Sequence, residues 1–126
     1  MPTAYNITPE KLAVYRATAQ RRREQEDSAL DHRRKQAWTV ARQAAELLKT
    51  QFNATRVVLF GSLARERGFT RWSDVDLAAW GIAPEDTFRA IGAIMDMNTL
   101  LQVNLVDVNT CRASLLEEIE RNGIEL

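Results

Sequence analysis

The chain has 126 residues, 45% of them apolar, with 17 basic residues against 17 acidic ones. That is enough for one real core, and the balanced charge gives no global field that would draw in nucleic acid. One cysteine, Cys111, excludes an internal disulfide, one histidine, His32, excludes a zinc cluster, and no apolar run reaches transmembrane length. The start, Met-Pro-Thr-Ala-Tyr, is unlike a signal peptide, so the expectation is a soluble protein of the cytoplasm with no membrane partner.

In chain order, Met1 to Asn6 reads as a frayed terminus, and Thr8-Pro9-Glu10 as a helix start with Thr as N-cap and Pro at the first helical position. From there to about Lys49 no Gly or Pro interrupts a run rich in Ala, Gln, Glu, Arg and Lys. The expectation is one very long helix, or two with a break near Asp27-Ser28. In its second half Trp38, Ala41, Ala45, Leu48 and Phe52 recur at helical spacing and should face a core. Gln20 to Lys35 carries little apolar content and two basic clusters, Arg21-Arg22-Arg23 and Arg33-Arg34-Lys35, interleaved with acids. This pattern suits a salt-bridged solvent face, or a docking arm for another protein or a second copy of this chain, better than a nucleic-acid surface.

Asn53 and Ala54 close the helix. Arg56 to Phe60 reads as a buried strand, Ser62 to Arg67 as a short helix, and Asp74 to Trp80 as a second strand. Pro84 opens a helix to about Met97, with Phe88, Ile91, Ile94 and Met95 as its apolar side. Gln102 to Val108 is a third strand, Arg112 to Arg121 a last helix, and Ile124 to Leu126 an edge strand or a packed tail. Trp38 and Trp80 read as core. The order predicts an α/β (α+β) fold, a small mixed sheet with helices packed on it, preceded by the long helix or helix pair. Residues 1–52 form the helical extension and 53–126 the catalytic-type domain, one structural domain in all.

The chemistry concentrates between Val57 and Trp80. Gly61-Ser62 after an apolar strand offers backbone N–H groups and a hydroxyl to a phosphate, with a helix N-terminus expected to face it. Asp74 and Asp76 lie two apart on a strand and so share a face. Two carboxylates side by side repel unless a cation sits between them, and hard oxygen ligands suit Mg²⁺. Aspartate is disfavoured in strands, so two of them need a reason. Arg65 and Arg67 stand where a triphosphate would lie, and Trp72 either covers core or stacks on a base.

Gly61-Ser62-Leu63-Ala64-Arg65 followed by Ser73-Asp74-Val75-Asp76-Leu77 resembles the Gly-Ser…Asp-x-Asp motif of the DNA polymerase β-like nucleotidyltransferases, over roughly Thr55 to Leu126. The resemblance implies a nucleotidyltransferase fold that binds a nucleoside triphosphate, ATP first among them, through Gly61, Ser62 and Arg65. It further implies Mg²⁺ on Asp74 and Asp76, and transfer of a nucleoside monophosphate to a hydroxyl. Small members of this type imply an antitoxin whose partner is a helical toxin; a homo-oligomer is the other association the arm allows. The chain departs from the pattern at the third carboxylate, where Val103-Asn104-Leu105-Val106 puts a neutral amide in the catalytic set. Asp107 could replace it only if a bulge shifts the register. The alternative is a degenerate, non-catalytic protein of the same fold that neutralises a partner by binding.

Overall fold

The computed structural model describes residues 7–97 and 100–126; the terminus read at residues 1–6 lies outside them. Helix α1 spans Pro9–Gln51 as one uninterrupted element, so the break considered near Asp27-Ser28 is absent. Thr8 caps it as expected, its Oγ1 accepting the Lys11 N–H at 3.2 Å. At its other end Phe52 and Ala54 both donate N–H groups to the Leu48 carbonyl, and Asn53 takes the left-handed turn at φ 59° that such a cap requires.

By its contacts the chain divides inside α1, into one unit ending at His32 and one spanning Arg33–Leu126. In the first unit none of residues 7–32 is buried, as a run with so little apolar content dictates. In the second, the helix buries Ala37, Val40, Ala41, Ala44, Ala45 and Leu48. Small alanines on that stripe allow close packing of a helix on a sheet.

The sheet is four-stranded, ordered β3-β2-β1-β4, from β1 (Arg56–Phe60), β2 (Val75–Trp80), β3 (Val103–Asp107) and β4 (Ile124–Glu125). β1 pairs antiparallel with β2 and β4, while β2 and β3 run parallel, so the sheet is mixed as expected. Strand alternation divides its side chains between two faces. Val57, Leu59, Val75, Leu77 and Ala79 lie on one and are all buried. The buried sides of α1 and of α2 (Thr87–Asp96) are the apolar surfaces available to cover it.

On the other face Val58, Phe60 and Ala78 pack with Ile119 of α3 (Ala113–Asn122), and Trp80, Val106 and Leu115 close around them. Arg56 fastens this end: its Nη1 pairs with Glu120 at 2.6 Å and its Nε with Glu125, while the guanidinium lies 4.3 Å from the centre of the Trp80 ring. The hydrogen bonds from Arg56 hold Glu120 below the usual carboxylate range, and those two carboxylates hold the guanidinium above its own.

Three expectations need correction. Ser62 to Arg67 is not a helix but two successive turns, with Ala64 and Arg65 N–H groups donating to Gly61 and Ser62 carbonyls. On α2 the buried residues are Ala90 and Ile94, whereas Phe88 is 87% exposed and Met95 is exposed as well, so the buried stripe is rotated from the one expected. Trp38 and Trp80 are half-buried, each under an arginine, Arg42 and Arg56. Among the described residues no helix is long and apolar enough to cross a membrane.

The division at Arg33 makes a concrete expectation. Removing the helical residues before Ser28 leaves a cooperatively folding protein, while Leu48→Ala in the intact chain lowers stability by about 2–5 kcal/mol through the cavity it opens. Urea unfolding followed by circular dichroism checks both; loss of the cooperative transition on truncation would place the arm in the core.

Candidate active site

β2 is a central strand, and its first residues carry the carboxylates. Asp74 stands one residue before β2 and Asp76 is its second residue, so alternation puts both on the face that carries Phe60 and Ala78. α3 covers the Val58–Ala78 end of that face, and both aspartates, further along it, remain half-buried.

β1 delivers Gly61 to the same place, because Phe60 pairs with Asp76 and the chain turns immediately after. Gly61 has φ +80°, and a Cβ there would stand 2.5 Å from Asp76 Oδ2. Only glycine meets both demands, the left-handed backbone and the close approach. Ser62 follows, half-buried, at the head of the two turns. The Gly61-Ser62 backbone and hydroxyl therefore stand here without the helix dipole that a helix after Ser62 would have added.

β3 brings Asn104 directly opposite Asp76. Its Nδ2 donates to Asp76 Oδ1 at 3.1 Å and reaches Asp74 Oδ2 at 3.5 Å. The β2–β3 register runs without interruption from Val75–Val103 to Ala79–Asp107. No bulge shifts it, so Asp107, three residues past Asn104, falls on the opposite face. Its carboxylate instead accepts the Asn109 N–H at 3.0 Å, closing the turn after β3. The third position is thus occupied by an amide.

Among the described residues no group of three His, Cys, Asp or Glu side chains could hold a metal ion. The two carboxylates nonetheless fit Mg²⁺, which is commonly bound by one or two carboxylates plus substrate phosphates and waters, and Asn104 presents its NH₂ to them in this structure.

Arg33 and Arg34 of α1, which their pattern suits to a solvent face or docking arm, instead meet the connector. Arg34 Nη2 donates to the Leu63 carbonyl at 3.4 Å and to the Arg65 carbonyl at 3.1 Å, and its guanidinium lies 5.9 Å from the Phe69 ring centre. Arg33 Nη2 donates to the Ser73 carbonyl at 3.3 Å. Together they hold both ends of the connector between Gly61-Ser62 and the aspartates. A cluster of three basic residues reads as solvent-facing unless one knows that carbonyls stand opposite. Arg65 itself is exposed, its backbone engaged through its N–H to Ser62 and its carbonyl to Arg34, and Arg67 is exposed too. Trp72 is 77% exposed with Arg71 4.8 Å from its ring centre, so it does not cover core.

A family model described as polymerase beta, nucleotidyltransferase, matches residues 42–126. The chain belongs to that family. No match is found among curated proteins. The nucleotidyltransferase match takes in the connector and all four strands, and it begins within the part of α1 that carries the buried stripe.

Gly61→Ala tests the geometry. A residue forced into the left-handed region costs on the order of 1–3 kcal/mol, so the variant should lose stability of that size in denaturant unfolding. Unchanged stability would mean that the turn does not press on Asp76.

Proposed function

We propose that this nucleotidyltransferase transfers a nucleoside monophosphate from a nucleoside triphosphate, ATP foremost, to a hydroxyl on a partner protein, as the antitoxin half of a toxin–antitoxin pair. The observation that carries the reading is the convergence of Gly61, Asp74 and Asp76 on one sheet face, with both aspartates half-buried and Gly61 closely approaching Asp76. Gly61 and Ser62 bind the triphosphate through N–H groups and a hydroxyl, with Arg65 beside them. Asp74 and Asp76 hold Mg²⁺, which when bound neutralises phosphate charge and favours attack at phosphorus. The acceptor oxygen bonds to the α-phosphorus, the bond to the bridging oxygen of pyrophosphate breaks, and the hydroxyl proton passes to solvent, since the Asn104 amide cannot take it.

What supports a partner-borne acceptor is the arm. Residues 9–32 form a helix with no buried side chain, and since most helical stability in proteins comes from packing an apolar face, a helical partner such as a toxin, or a second copy of this chain, would stabilise it.

One observation favours a second reading, in which the protein neutralises its partner by binding alone. Asn104 donates a hydrogen bond to the carboxylates at the position where a third carboxylate would assist catalysis.

Mg²⁺ with a nucleoside triphosphate should raise the melting temperature, by an amount equivalent to about 2.7 kcal/mol at a hundredfold excess over Kd. Asp74→Ala with Asp76→Ala should abolish the rise. With labelled ATP and partner, Asn104→Asp should increase transfer and Asp107→Ala leave it unchanged. A melting temperature unmoved by millimolar Mg²⁺-ATP removes the nucleotide reading. Transfer absent from both the natural protein and Asn104→Asp, with the melting shift intact, selects the binder.

A further inference from the structure

Behind the aspartates lies a pair of amides. Gln102 stands one residue before β3, but its carbonyl accepts the Val75 N–H at 2.9 Å, so the ladder already includes it. Gln102 and Asn104, two apart, therefore share one sheet face. Gln102 Nε2 donates to Asn104 Oδ1 at 3.0 Å, and Asn104 Nδ2 in turn points at Asp76 and Asp74. The direction of this chain is dictated by charge. With no cation between the carboxylates, the positive end of the Asn104 amide must face them and its oxygen must face away.

A divalent cation between Asp74 and Asp76 reverses that preference, because it would meet the NH₂ end of the dipole. Turning the amide over presents Oδ1, a neutral oxygen ligand, and sends the NH₂ toward Gln102. Gln102 can accept it, since a primary amide carries an acceptor as well as donors and need only turn over too. An apolar residue at 102 could do neither, and an acceptor-only residue could serve only the reversed state.

We propose that Gln102 and Asn104 form a coupled amide switch whose orientation sets the cation affinity of the aspartate pair, with Gln102 the positioning residue. The inference rests on the reading of Asp74 and Asp76 as metal ligands. In the cation-free protein the switch supplies hydrogen-bond donors to two neighbouring carboxylates; in the loaded protein it supplies an oxygen without adding charge.

The test is Mn²⁺ binding, read from the loss of the free-ion spin-resonance signal, in the natural protein, Gln102→Glu, Asn104→Ala and the double variant. The glutamate substitution accepts only, so it holds the Asn104 oxygen toward the aspartates; it also brings a charge that attracts cations whether or not Asn104 is present. The double variant isolates that charge. The switch predicts that Gln102→Glu tightens Mn²⁺ binding by a factor about threefold larger when Asn104 is present than when it is not. An equal gain in the two backgrounds overturns the switch while leaving the aspartates as ligands. Failure of all four proteins to bind Mn²⁺ overturns both the switch and the metal reading beneath it.

Discussion

Asp76 is constrained from both neighbouring strands. Gly61 approaches it so closely that no Cβ could intervene, and Asn104 donates to it from the neighbouring strand. A carboxylate on a central strand must be satisfied or it would weaken the sheet that carries it. The fold meets that demand by pairing β2 with β3 in parallel and by ending β1 in a left-handed glycine. Once these three strands are in register, the Gly61 turn, the aspartate pair and the Asn104 amide fall within reach of one another.

The same constraint explains the division of labour among the helices. α3 packs on Val58, Phe60 and Ala78 of the face, fastened there by Arg56, while Asp74 and Asp76 of the same face stay half-buried. The second half of α1 carries the buried alanine stripe and also presents Arg33 and Arg34 to the connector carbonyls. Those contacts hold both ends of the connector between Gly61-Ser62 and the aspartates from a helix. Cations donating to free carbonyls suit a turn-rich connector, whose own N–H groups satisfy few of them.

Much of this was legible in the sequence, and the exceptions have physical causes. Alternation alone places Asp74 and Asp76 together, because a strand with Val75, Leu77 and Ala79 buried has only one other face. The uninterrupted β2–β3 register keeps Asn104 opposite Asp76, as the Val-Asn-Leu-Val pattern leads one to expect. Ser62 to Arg67 has helix-favouring composition, yet a helix this short must form its costly nucleus while competing with Arg34 for the Leu63 carbonyl. Its turns win. On α2, periodicity identifies an amphipathic helix but cannot say which of two adjacent apolar stripes turns inward. Ala90 beside Ile94 permits the closer approach, and Phe88 is left in solvent. The roles of Arg33 and Arg34 depend on carbonyls 29 to 40 residues away in sequence, and local pattern carries no trace of such a contact.

On this reading the Asp74–Asp76 end of the sheet face holds a divalent cation and a triphosphate together. The most direct test is a crystal structure grown with Mn²⁺ and a non-hydrolysable ATP analogue, with the metal located by its anomalous scattering. The account predicts an anomalous peak bridging the Asp74 and Asp76 carboxylates, with analogue phosphate oxygens against the Gly61-Ser62 backbone. A fully occupied nucleotide bound elsewhere, with no peak between the two aspartates, would contradict it.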